Sequence, residues 1–145
     1  MPQRSIRKLI AGQEILTAPA DSSIAVVAGQ MKKSRVGSVM VIDDHGRLTG
    51  IFTERDALFR VLAEGRDPRT TRLAEVMTAH PKTISPDRPF EHALLMMYDG
   101  GFRHVPVVEN GKPIGMVSAR DALGPELQEF ESEMQRRTRI GEILG

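Results

Sequence analysis

The sequence predicts an α+β protein made of two α/β-type repeats, each ordered β-α-β-β-α, followed by an extra C-terminal helix. Three observations predict it. Gly50-Ile51-Phe52-Thr53-Glu54-Arg55-Asp56-Ala57-Leu58 returns as Gly115-Met116-Val117-Ser118-Ala119-Arg120-Asp121-Ala122-Leu123. The echo reaches upstream, pairing Val36 to Asp43 with Phe102 to Glu109, and Asp21, Ile24, Ala28 and Met31 with Asp87, Phe90, Leu94 and Met97. The offset is 66 residues through the helix and first strand and 65 after the turn, so the second turn is one residue shorter.

Each copy opens with a short extended piece, Ile15-Leu16-Thr17 or Lys82-Thr83-Ile84. A helix follows. In the first copy Asp21 is the expected cap, and Ile24, Val27, Ala28 and Met31 form one apolar stripe. In the second, Asp87 is the expected cap, Pro89 suits the first turn, and Phe90, Ala93, Leu94 and Met97 form the stripe. The methionines at helical spacing read as core. Val39 to Ile42 and Val105 to Val108 are nearly continuous apolar runs, the pattern of a strand buried on both faces. Asp-His-Gly and Asn-Gly turn the chain into a second strand, Leu48 to Phe52 or Pro113 to Val117. A helix is expected from Thr53 and again from Ser118.

The expected boundaries are residues 10–63 and 73–123 for the repeats and 125–145 for the C-terminal extension, with a charged, Gly- and Pro-containing linker from Glu64 to Arg72. A unit of this size buries too little surface to be stable alone, so the two are expected to pack around a pseudo-two-fold axis. Gly124-Pro125 is expected to break the last helix of the second repeat. A new helix then runs to about Ile140, with Leu127, Phe130 and Met134 on one face. Arg136, Arg137 and Arg139 lie near its C-terminal end, where cations suit the helix dipole.

Composition narrows the function classes. Hydrophobic residues make up 40% and charged residues 27%, as in globular domains. A net charge of +1 does not by itself argue for nucleic acid or a membrane surface. The absence of tryptophan and the single tyrosine remove stacking platforms for single strands. With no cysteine, disulfides, thiolate metal sites and cysteine nucleophiles are excluded. His45, His80 and His92 are scattered without ligand spacing, so no metal site is expected. No apolar run approaches membrane-spanning length, and the first ten residues lack a signal-peptide core; the expected location is cytoplasmic.

The repeated motif is Gly-apolar-apolar-Thr/Ser-x-Arg-Asp, running from a strand into a helix. One reading is a capping box, in which the hydroxyl and the Asp three residues on satisfy each other's backbone N–H groups. The other is a site for a phosphorylated sugar: the carboxylate accepts from vicinal ribose hydroxyls while the helix N-terminus, hydroxyl and Arg face a phosphate. Two copies at equivalent places favour the second.

On these residues, with the strands Val39 to Ile42 and Val105 to Val108 and the segment Phe102-Arg103-His104-Val105-Pro106, the chain resembles a tandem pair of CBS domains over about residues 10 to 123. The resemblance implies a disk with a cleft on each side of the pseudo-two-fold axis. Its expected ligands are adenosine-containing: AMP, ADP, ATP, S-adenosylmethionine or NAD. It places Asp56 and Asp121 on the ribose of two separate sites, with Thr53 and Ser118 beside ribose or phosphate. It places Leu16, Val36, Gly37, Ser38 and Met116 around the adenine of the Asp121 site. Around the adenine of the Asp56 site it places Ile51, Lys82 and Phe102 to His104. Arg103 and His104 fall where related modules contact phosphate, and Arg55 and Arg120 are further phosphate candidates. The implied partners are a second copy of the chain and an effector protein. The competing readings are a dimerisation or interaction module that holds no ligand, an enzyme, and a nucleic-acid binder using Arg136 to Arg139. No phosphate-cradling Gly-rich loop and no nucleophile elbow supports an enzyme.

Overall fold

The computed structural model describes residues 4–122 and 124–144. In chain order it has α1 (Ile6–Ile10), β1 (Thr17–Pro19), α2 (Ile24–Ser34), β2 (Ser38–Ile42), β3 (Leu48–Thr53) and α3 (Glu54–Asp56). A wider, π-type helical segment continues α3 over Ala57–Leu62. Next come α4 (Leu73–Val76), β4 (Thr78–Ala79), α5 (Phe90–Gly100), β5 (His104–Glu109) and β6 (Lys112–Ser118). A 3₁₀ turn (Ala119–Asp121) leads to α6 (Gly124–Leu144).

The first sheet has the order β1-β2-β3-β4, with β1 parallel to β2 and the other pairs antiparallel. The second is the β5–β6 hairpin, beside which Ile84 bridges Val107 in parallel, repeating the β1–β2 relation with a single residue. Val39, Met40 and Val41 are all buried, as the continuous apolar run requires of a strand covered on both faces.

Two apolar cores form, and each takes a short helix from outside its own repeat. Ile6 and Ile10 of α1 are buried with Phe90, Leu94, Val105 and Val117 of the second repeat. Leu73 and Val76 of α4 are buried with Ile24, Val27, Val39 and Phe52 of the first. The exchange is reciprocal: Ser5 bridges Pro89 and Arg72 bridges Ser23. The motif glycines make room for the end of α1 and for the segment that follows α4. A Cβ on Gly115 would lie 2.7 Å from Ile10 Cδ1, and one on Gly50 would lie 3.1 Å from the Thr78 carbonyl oxygen. Fully burying a side chain such as Ile6 or Leu73 contributes about 1.5–3 kcal/mol, so each repeat is stabilised by its neighbour's leading segment.

Several sequence expectations are corrected. Asp21 lies too far upstream to cap α2; Ser23 does so, accepting from the Val26 N–H at 3.3 Å. Asp87 does not cap α5, whose N-cap is Pro89; its carboxylate pairs with Arg7 at 3.0 Å. The first extended piece begins at Thr17 rather than Ile15, and the second shrinks to the Ile84 bridge. No full helix starts at Ser118, because Pro125 lacks the N–H that would bond to the Asp121 carbonyl and its ring would clash there. Gly124-Pro125 instead open α6, where a first-turn proline is tolerated. On α6, Phe130 and Met134 are buried against the second repeat, while Leu127 is 40% exposed. Among the described residues no helix is long and apolar enough to cross a membrane.

Candidate functional site

A cleft of about 280 Å³ opens between the repeats. The first repeat lines it with Leu16, Val36, Gly37 and Ser38, from the ends of α2 and β2 and the segment before β1. The second lines it with His104, Met116, Ser118, Arg120 and Asp121, from β5, β6 and the turn after β6. The whole set expected around the Asp121 ligand therefore meets in one place, joined by His104 and Arg120.

Both motif carboxylates sit in capping boxes. Asp121 Oδ2 accepts from the Ser118 N–H at 2.7 Å, and Asp56 Oδ2 accepts from the Thr53 N–H at 2.9 Å. The local reading of the motif is thus correct at both copies, and it holds each carboxylate rigidly at the mouth of its turn. The copies differ beyond the cap. Asp56 Oδ1 has a cation, Arg60 Nε, at 3.5 Å. The corresponding position in the second repeat is Pro125.

Five lining residues lay outside the sequence expectation: Gln13, Glu14, Ile15, Arg35 and Met40. Gln13 closes one wall by imitating a strand. Its Nε2 donates to the Met116 carbonyl, and its Oε1 accepts from the Met116 N–H, both at 2.9 Å. In the first repeat the equivalent residue, Ile51, pairs with the backbone of Thr78 in β4. Arg35 ends α2 in the left-handed region at φ 56°, where the second repeat uses Gly101 at φ 71°. An L-residue there carries a steric cost that glycine avoids, and the arginine brings a cation to the cleft. No motif spacing signals Gln13 or Arg35, since neither belongs to the repeated signature.

Charged and titratable side chains of both kinds line the cleft: Arg35, Arg120 and His104, with Glu14 and Asp121. Burial, the largest cause, lowers the His104 pKa from its ordinary 6.5; Glu54 and Asp121 oppose this, while Arg120 and Arg103 add to it. Arg120 is itself loosely paired, 3.7 Å from Glu54. Preformed donors, cations and a fixed carboxylate between apolar walls suit a polar ligand with one flat apolar face and one anionic end.

The remaining expected residues lie elsewhere. Ile51 is buried in β3, Lys82 is exposed, and neither they nor Thr53 and Asp56 line this cleft. Arg55, Phe102 and Arg103 line a different cavity, beneath α6. Among the described residues, no group of three or more His, Asp or Glu side chains is placed to hold a metal ion.

The CBS domain model matches residues 6–63 and 73–124. The chain is 32% identical over 134 residues to the CBS domain-containing protein CBSCBSPB3 of Arabidopsis thaliana, covering 92% of this chain but 24% of that protein. A CBS domain protein from Pyrobaculum aerophilum complexed with AMP superposes with a TM-score of 0.78 at 25% identity, over 89% of this chain and 99% of that one. The CBS domain pair of protein MJ0100, in complex with 5′-methylthioadenosine and S-adenosyl-L-methionine, gives a TM-score of 0.74 at 26% identity, over 83% and 93% of the two chains. With the family model covering most of its length on two repeats of matching architecture, the chain belongs to the CBS domain family.

Proposed function

We propose that this chain is a regulatory module that binds an adenosine-containing ligand in the cleft at Asp121 and passes its occupancy to a partner protein. The observation that carries this reading is the convergence of Leu16 and Val36 to Ser38 from one repeat with Met116, Ser118 and Asp121 from the other. In this reading Asp121 accepts from the ribose hydroxyls. Leu16, Val36 and Met116 enclose the base, and Arg35, His104 and Arg120 face the phosphate. A ligand held by both repeats stabilises the arrangement in which they meet, and it shifts the equilibrium only by its differential affinity for that arrangement. The AMP and S-adenosylmethionine complexes of related CBS pairs support the ligand class.

A homodimer fits the same reading. Val26 of α2 and Leu58, Phe59 and Leu62 of the π-type segment are large apolar side chains exposed on helical elements, Leu62 at 72%, and such side chains are what an interface between copies would bury. The second reading, a dimerisation module that holds no ligand, rests on these side chains.

The test is calorimetry and thermal unfolding of nucleotide-stripped protein with AMP, ADP, ATP, NAD and S-adenosylmethionine. A ligand at 100 times its dissociation constant adds about 2.7 kcal/mol of stability. One saturating response identifies the ligand class. No response to any of the five from folded protein overturns the sensor reading in favour of the interaction module.

A further inference from the structure

We propose that the cavity beneath α6 is a second ligand site, separate from the nucleotide cleft, for an amphiphilic organic anion: a carboxylate on an aliphatic chain.

The cavity has a volume of about 760 Å³, within the range of small-molecule sites. Its floor is apolar, made of Leu94 and Met97 from α5, Phe102 before β5, and Phe130 and Met134 from α6. Around it stand three guanidinium groups, Arg55, Arg103 and Arg139, against a single lining carboxylate, Glu131. Among the described residues none of the three arginines makes an ion pair. Arg55 lies 5.5 Å over the Phe59 ring, which orders it without neutralising it. Neutral polar side chains in the lining are few: Tyr98, Gln135 and Thr138, whose hydroxyl already donates to the Met134 carbonyl at 3.0 Å. An apolar lining with excess positive charge and few neutral donors complements a chain with one anionic head. The nucleotide cleft has the opposite make-up, smaller and with a fixed carboxylate. The two cavities share no lining residue.

The site depends on a departure within this chain. Because Pro125 stops the helix after Ser118 and α6 restarts at Gly124, the long α6 lies over α5 with Phe130 and Tyr98 in edge contact at 6.0 Å. The first repeat has no such helix: Arg55, Phe102 and Arg103 correspond by the repeat to Arg120, Val36 and Gly37 of the nucleotide cleft, but the wall that α6 adds has no counterpart there.

The methionine methyl groups report on both cavities at once, because Met97 and Met134 line this one and Met40 and Met116 line the nucleotide cleft. Methyl NMR spectra of the full chain with methionine labelled are recorded against decanoate, its uncharged analogue decanol, and AMP. Decanoate is expected to shift Met97 and Met134 saturably, leave Met40 and Met116 in place, and bind equally well with AMP present. Decanol is expected to bind about tenfold more weakly, for want of the charge-assisted contacts. Arg139→Glu and Leu127→Gln, both at exposed positions, are expected to weaken decanoate about tenfold while leaving thermal unfolding unchanged. Unmoved Met97 and Met134 methyls, equal binding of decanol, or displacement of decanoate by AMP would each overturn the proposal. AMP shifts at Met40 and Met116 test the nucleotide reading independently, so either can fail alone.

Discussion

Arg4 donates through Nη2 to the main-chain carbonyl of Asp121 at 2.7 Å, 117 residues away in sequence. That carbonyl is the one an uninterrupted helix would have used for residue 125, where the chain has proline. The same guanidinium pairs with Glu126 in the first turn of α6, Nε lying 3.0 Å from Oε2, and stands over the Phe90 ring. The N-terminal segment thus holds the turn that presents the Asp121 carboxylate and the start of α6 together.

Arg4→Ala is expected to destabilise the fold by about 1–2 kcal/mol, the loss of charge-assisted bonds tempered by partial exposure. Hydrogen exchange is expected to accelerate in α6 and the 3₁₀ turn well before α2. Uniform acceleration across the chain would show that Arg4 does not act locally.

Asp121→Ala is expected to weaken adenosine-ligand binding by about 1.5–3 kcal/mol, or roughly tenfold to a hundredfold. Loss of the cap also costs about 1 kcal/mol of stability. Asp56→Ala removes the matching cap of the first repeat without touching this cleft. Calorimetry on both variants separates the effects: a ligand loss of equal size in Asp56→Ala would mean that stability alone sets affinity.

Arg35→Gly is expected to move stability and binding in opposite directions. Relieving a left-handed arginine stabilises by about 1 kcal/mol, as the glycine at the matching position of the second repeat suggests. Removing the cation weakens any ligand with a phosphate several-fold and leaves an uncharged adenosine unaffected. Urea unfolding and a comparison of AMP with adenosine read out the two halves.

His104 makes stability depend on pH. Its folded pKa is lowered by burial, so the unfolded chain binds the proton more readily. The contribution is fully present above the unfolded value of about 6.5 and is lost as pH falls through the lower folded value. Unfolding midpoints are expected to drop below about pH 6.5 in the parent and to drop less in His104→Asn. An anionic phosphate beside the ring favours its charged form, so AMP binding is expected to take up a proton, seen as a buffer-dependent calorimetric heat.

Much of this was legible in the sequence because the chain states it twice. The paired strands, the two turns, the apolar stripes of α2 and α5 and the repeated Thr/Ser-x-x-Asp capping unit are local patterns, governed by backbone geometry and side-chain periodicity within a few residues. The Asp121 lining set was legible through family resemblance, which places residues by motif and not by distance. What needed the tertiary structure is everything that crosses between the repeats. α1 and α4 are too short to signal themselves by periodicity, and each is stabilised by burial in the other repeat's core. Gln13 earns its place by matching an unpaired backbone edge more than a hundred residues away, and Arg4 by matching a carbonyl orphaned by proline. The two motif copies look alike in sequence, yet they part where Arg60 and Pro125 stand. One carboxylate has a cation at its side, and the other lies at a cleft between the repeats. Sequence determined the repeated unit through short-range physics. Packing decided which distant groups partner each copy, because burial and hydrogen-bond satisfaction are settled only when distant segments meet.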